Sequence, residues 1–208
     1  NLWLLKNYLE TNKLSNQKEI KHLVCQHRAN SFIIQFKSSL SNACFETDVH
    51  FFNNKVVSAH EMEINTDLLL NDFLKSSYQK NTLWLDSKNI NKLENCKFAQ
   101  DWLSQNSGKF SSLLVETPTN SIKNADNPEW IQCIKKINGT SNVQVGYYLP
   151  TNLLKDCVNN NLSRSECKKQ FLRIAKFLKN IEVSSITFDY LGYDLIKNEN
   201  LFKDFKWH

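Results

Sequence analysis

The strongest constraint in this chain is the alternation of short apolar runs with longer amphipathic stretches. Runs at 22–26, 44–52, 82–86, 112–116, 143–148 and 185–189 have the length and residue types of strands. Between them, segments 31–41, 67–77, 89–105, 127–137 and 164–180 carry apolar residues near helical spacing, as Phe32, Ile33, Phe36 and Leu40 do in the first. Repeated strand–helix units predict a parallel sheet with helical crossovers. The expected fold class is therefore α/β, a (β/α) TIM-type barrel in compact or truncated form, with residues 1–208 as one domain. A full eightfold barrel typically needs about 250 residues. Here the pattern reaches a sixth strand and begins another at Phe205-Lys206-Trp207-His208, so the last strands are expected to be compressed or to lie beyond residue 208. An open α/β sheet is the alternative. Neither G-x-G-x-x-G nor G-x-x-x-x-G-K-[ST] occurs, which removes the nucleotide-binding versions of such a sheet.

Composition narrows the partners. Hydrophobic residues at 41% and charged residues at 23% suit one globular core and exclude wholesale disorder. The net charge of +5 favours anionic ligands without the dense basic footprint of a duplex binder. No alternating aromatics mark a nucleic-acid stacking surface, so no nucleic-acid partner is expected. No run approaches the ~20 apolar residues that cross a bilayer. No transmembrane segment is expected, and peripheral membrane contact stays open. Of the six cysteines, Cys25 and Cys44 lie in apolar runs and read as small buried hydrophobes. Cys157 and Cys167 flank a polar loop and form the best candidate bridge, and no C-x-x-C metal spacing is present. The sequons Asn138-Gly139-Thr140 and Asn161-Leu162-Ser163 are unremarkable in so Asn-rich a chain. The compartment leans cytoplasmic, with secreted and periplasmic locations open.

Polar groups concentrate at the C-terminal ends of the first three expected strands. The first ends in His27-Arg28, the second carries Glu46-Thr47-Asp48-Val49, and the third ends in Asp86-Ser87-Lys88. In a parallel α/β fold these ends converge on one face. Glu46 and Asp48, two apart on a strand, point to the same side. An isolated acidic pair of this kind is usually a solvated strand end. With Asp86 added, the set becomes three hard oxygen donors suited to Mg²⁺ or Ca²⁺. His60 closes a hairpin that returns from the second strand around Asn53–Lys55. A two-residue loop would set His60 opposite Thr47, away from the carboxylates. A three-residue loop would set it opposite Asp48. The metal reading therefore expects the three-residue loop. Glu116 and Asp189, at later strand ends, are as readily plain carboxylates as site residues. His22 and His50 are expected off the reactive face, and Trp84, Trp102 and Trp130 are expected in packing.

The order His27-Arg28, Glu46-Thr47-Asp48-Val49, Val56-Val57-Ser58-Ala59-His60-Glu61 resembles the H-R, E-x-D-V and V-x-x-H-[DE] pattern of glycerophosphodiester phosphodiesterases. Leu83-Trp84-Leu85-Asp86-Ser87-Lys88 resembles the later strand of that family, which carries an acidic residue and then a lysine. The likeness covers about residues 22–90. Ala29 stands where the family usually has glycine. Asp86 replaces the usual Glu, and the customary insertion after the second His is missing. The last two features are closer to the sphingomyelinase D/phospholipase D branch and to menorin-type domains of the same superfamily. The resemblance implies a metal-dependent phosphodiester hydrolase acting on glycerophosphodiesters or phospholipid head groups. It implies one divalent metal on Glu46, Asp48 and Asp86, and His27 and His60 as the acid/base pair. Arg28 and Lys88 would hold the substrate phosphate. Which histidine is the acid stays open, as does hydrolysis against a cyclic phosphate product. A non-catalytic metal- or phosphate-binding module, and a metal-dependent lyase or aldolase, are the competing readings.

Overall fold

A computed structural model describes residues 25–31, 44–52, 55–61, 69–70, 82–183, 185–199 and 202–207. Strand β1 (Cys25–Gln26), β2 (Cys44–Phe52), β3 (Lys55–Ser58), β4 (Thr82–Ser87), β5 (Ser112–Thr117), β6 (Val143–Tyr148), β7 (Ser185–Thr187) and β8 (Lys206–Trp207) share one sheet. The helices are α1 (Leu93–Asn106), α2 (Pro128–Asn138), α3 (Thr151–Val158), α4 (Arg164–Asn180) and α5 (Tyr193–Glu199). The expected helix at 31–41 and most of that at 67–77 lie outside the described residues, as does the start of the first strand.

The sheet runs β1-β2-β4-β5-β6-β7-β8, every neighbouring pair parallel, with β3 antiparallel on β2. Strand order thus follows chain order with no reversal. Crossovers of one hand then place the helices on one face of the sheet. Among the described residues no pairing joins β8 to β1, so what stands is a mixed α/β architecture with a mostly parallel sheet.

Register defines the two faces. Phe45, Leu83, Leu113 and Val143 are in-register neighbours, as are Thr47, Leu85, Val115 and Val145. These rows are buried and form the main core with the helices. Phe51 meets Phe98 and Trp102 of α1 edge to face, and Tyr147 meets Phe177 of α4. Trp130 is fully buried, lies stacked on Phe177, and donates from Nε1 to the Ile90 carbonyl at 2.9 Å. Helix ends are marked in the sequence. Asn127 caps α2 ahead of Pro128, and Ser163 with Glu166 forms a reciprocal capping box on α4.

The opposite face carries Glu46, Trp84, Leu114 and Gln144 in one row, and Asp48, Asp86, Glu116, Gly146 and Ser185 in the next. Gly146 has a packing reason: a Cβ there would lie 3.2 Å from Leu114 Cδ1.

Disulfides join Cys25 to Cys44, Cys96 to Cys133 and Cys157 to Cys167. Only the last was expected. Cys25 and Cys44 are not free hydrophobes but in-register partners on neighbouring strands, with Cα atoms 4.3 Å apart. Cys96 and Cys133 tie α1 to α2, a packing that local sequence does not encode. Converting both Cys96 and Cys133 to Ala should lower stability by about 3–4 kcal/mol, from the unfolded-chain entropy of so long a loop. Urea unfolding of the oxidised proteins measures it. A loss under about 1 kcal/mol would mean the bridge adds little to the α1–α2 contact.

Candidate functional site

Strand alternation sends Glu46 and Asp48 to the sheet face away from the helices, and the β2–β4 register puts Asp86 beside Asp48. One carboxylate oxygen from each of Glu46, Asp48 and Asp86 lies within 4.8 Å of the others. Glu46 and Asp48 are only 3% and 1% exposed. Lys88 reaches over from the end of β4. Its Nζ lies 2.5 Å from Asp48 Oδ1 and also contacts Asp86 Oδ2.

The loop after β1 is tied to the same cluster. Glu46 Oε2 accepts the Arg28 backbone N–H at 2.6 Å, and the Glu46 carbonyl accepts that of Ala29 at 2.8 Å. Arg28 adopts a left-handed φ of 54°, an uncommon state for a non-glycine residue and one these bonds hold in place. The positive φ falls on Arg28 and not on Ala29, so the alanine sits there without backbone strain. His27 Nε2 is 3.6 Å from Glu46 Oε2. Asn30 supports Asp48 twice: its Nδ2 donates to Asp48 Oδ2, and its Oδ1 accepts the Asp48 N–H at 2.9 Å.

The hairpin departs from expectation. Phe52 pairs with Lys55, so the loop has two residues, not three. By register His60 would then face away from the carboxylates. It escapes because the ladder ends at Ser58 and the chain bends at His60. The ring reaches the rim, with Nε2 3.3 Å from Arg28 Nη2 and Nδ1 2.7 Å from Glu61 Oε1. The structure thus gathers His27, Arg28, Glu46, Asp48, His60, Asp86 and Lys88 at one end of the sheet.

Other groups join or leave. Contrary to expectation His50 lies on this face, because it continues the Glu46–Asp48 alternation of β2. It is buried, with Nε2 3.4 Å from the His60 carbonyl. Continuing the same alternation past Asp48 would have found it. Glu116 lies beside Asp86 on β5, only 3% exposed, and its Oε2 has no hydrogen-bond partner among the described residues. Asp189 instead accepts the Leu191 N–H at 3.1 Å and caps a short turn. Trp102 and Trp130 pack as expected. Trp84 lies on the carboxylate face in register with Glu46, and its buried Nε1 has no hydrogen-bond partner among the described residues.

Electrostatics follow from burial without enough countercharge. Burial pushes Glu46 up to about 7, with Asp48 and Asp86 adding to it against the Arg28 N–H. Burial also raises Asp86, with Lys88 opposing, and raises Glu116 well above the usual range, with Asp86 adding to it. For Asp48, burial is outweighed by the Lys88 and Asn30 hydrogen bonds, which hold it low. Burial and then Arg28 lower His27. The donor set fits a hard divalent cation: three carboxylates converge, and the buried Glu46 Oε1 has no hydrogen-bond partner among the described residues.

Comparison of the chain with family models, with curated proteins and with solved structures finds no match.

Lys88 and a divalent cation would compete for Asp48 and Asp86. Lys88→Gln should therefore tighten Mg²⁺ or Ca²⁺ binding by roughly tenfold, by removing a unit charge at contact distance. Titration calorimetry reads this directly, and weaker binding in the variant would show that the cation does not share those carboxylates. A second outcome concerns pH. Glu46 binds its proton more tightly folded than unfolded. Between its ordinary pKa and about 7 the folded state holds the extra proton, so that contribution is full at low pH and lost as pH rises through 7. The metal-free protein should melt lower at pH 8 than at pH 5.5, and millimolar Mg²⁺ should raise the melting temperature more at pH 8. Equal metal effects at both pH values would contradict ligation by Glu46.

Proposed function

We propose that the chain is a metal-dependent phosphodiester hydrolase built on a compact barrel of the glycerophosphodiesterase-like type. Its substrates would be glycerophosphodiesters or phospholipid head groups. The observation that carries this reading is the convergence of three carboxylates, two imidazoles, one guanidinium and one ammonium at one end of the sheet. Chain-order strands with a polar inner face support the barrel. Three disulfides fit an oxidising compartment better than the cytoplasm.

Glu46, Asp48 and Asp86 would hold Mg²⁺ or Ca²⁺, which neutralises phosphate charge and orients the displacement when bound. Arg28 and Lys88 bring cationic donors to the non-bridging oxygens, Lys88 once it is released from the carboxylates. His27, with its lowered pKa, is the neutral imidazole that accepts a proton from the attacking hydroxyl or water. His60 donates to the leaving oxygen. The Glu61 carboxylate at its Nδ1 orients the ring. Asn30 and the Arg28 N–H fix the carboxylates that these groups surround.

A second reading, a non-catalytic binding module on the same scaffold, is favoured by Lys88, whose ammonium already bridges two of the carboxylates. Turnover separates the two. With Mg²⁺ or Ca²⁺ supplied, a glycerophosphodiester panel followed by ³¹P NMR should show cleavage and should reveal any cyclic product. His27→Ala and His60→Ala should each lower kcat by about 10²–10⁴, with the metal dissociation constant changed by less than about threefold. Metal binding with no cleavage across the panel would establish the binding module instead.

A further inference from the structure

A cleft of about 650 Å³ is lined in part by His50 and by Lys88, whose ammonium contacts the carboxylate cluster. The rest of its lining comes from the end of β2, the β4–α1 loop, the start of α1, and the segment after β5. Lys88 borders both spaces, since its ammonium contacts Asp48 and Asp86 while the side chain lines the cleft. A phosphodiester held at Lys88 would therefore have one substituent directed into this cleft.

The lining says what that substituent is. Asn89 and Asn95 are structural: Asn89 bonds both backbone groups of Phe51, and Asn95 bonds the Asn89 carbonyl. The side chains of Asn91, Lys92, Glu94 and Asn120 are different. They line the cleft and make no hydrogen bond or ion pair among the described residues. Two carboxamides, an ammonium and a carboxylate supply donors and acceptors together. Hydroxyl groups, which both donate and accept, match that mixture. Phe52, 46% exposed at the cleft edge, offers a ring face to the C–H side of a polyol. A quaternary ammonium would want an aromatic cage. The other ring here, Phe98, is instead packed edge to face on Phe51. An acyl chain would want apolar walls.

We infer that this cleft is the specificity subsite for a polyhydroxylated alcohol, such as an inositol or sugar, esterified to the phosphate. The inference rests on the phosphodiesterase reading and sharpens it. It is tested on the full chain with Mg²⁺, using glycerophosphoinositol, glycerophosphocholine and bis(p-nitrophenyl) phosphate. The inositol diester should exceed the choline diester in kcat/KM by roughly tenfold, the scale of one or two hydrogen bonds. In the Asn91→Ala/Asn120→Ala double variant, the loss on the inositol diester should appear in KM and exceed the loss on the aryl diester by about tenfold. A choline preference, or equal losses on both diesters, overturns the inference. If no diester is cleaved, the phosphodiesterase reading itself has failed. Calorimetry with inositol 1-phosphate then decides the cleft: binding that weakens in the double variant supports it, and absent or unchanged binding overturns it.

Discussion

Three carboxylates held close together with little water cannot all stay charged without a partner, and much of this molecule is arranged around that problem. The structure answers it in three ways. Lys88 bridges Asp48 and Asp86. Asn30 and the Arg28 backbone donate hydrogen bonds to Asp48 and Glu46. Glu46, Asp86 and Glu116 hold their protons more tightly than usual. Each device belongs to a different segment, so the acidic cluster also organises the chain. The loop after β1 takes its left-handed turn at Arg28 because Glu46 receives the N–H. The same contact brings His27 to the site.

The Cys25–Cys44 bridge belongs to this arrangement. It lies two residues before His27 on one strand and two residues before Glu46 on the other. The described part of β1 sets Cys25 and Gln26 in register with Cys44 and Phe45 of β2. The covalent link supplies that register, and the spacing of two carries it along both strands to the imidazole and the carboxylate. Position in the sheet thus makes this bridge part of the site, whereas the Cys96–Cys133 and Cys157–Cys167 bridges fasten helices.

Local pattern was enough to locate most of the described architecture. The runs at 44–52 and 143–148 are strands with those bounds, and 164–180 is a helix with its capping box in the sequence. Period-two alternation also put Glu46 and Asp48 on one face. What stayed hidden depends on neighbours distant in sequence. The Cys25–Cys44 pairing needs the β1–β2 register. The burial of Glu116 needs knowledge of the strands on either side. The hairpin shows a subtler limit. Register arithmetic for a two-residue loop is sound, but it holds only while the ladder continues. The ladder stops at Ser58, and beyond it the position of His60 is set by Arg28 and Glu61. Setting His50 aside, by contrast, overlooked alternation that was already legible.

The two faces of the sheet argue about purpose in opposite ways. The helix-side face is apolar, well packed and sufficient to explain why the chain folds. The other face is not explained by stability. Glu46 Oε1, Trp84 Nε1, Glu116 Oε2, Gln144 Nε2 and Ser185 Oγ are all buried on it with no hydrogen-bond partner among the described residues. Each such group typically costs about 1–3 kcal/mol, against a net stability of only about 5–15 kcal/mol for a domain. Apolar side chains at these positions would give a more stable sheet. A fold retains such a lining where the polar groups act on something other than their neighbours. Here the unpaired atoms surround or underlie the carboxylate cluster, and not the helix-packed side, so the departure from optimal packing coincides with the place where chemistry is proposed.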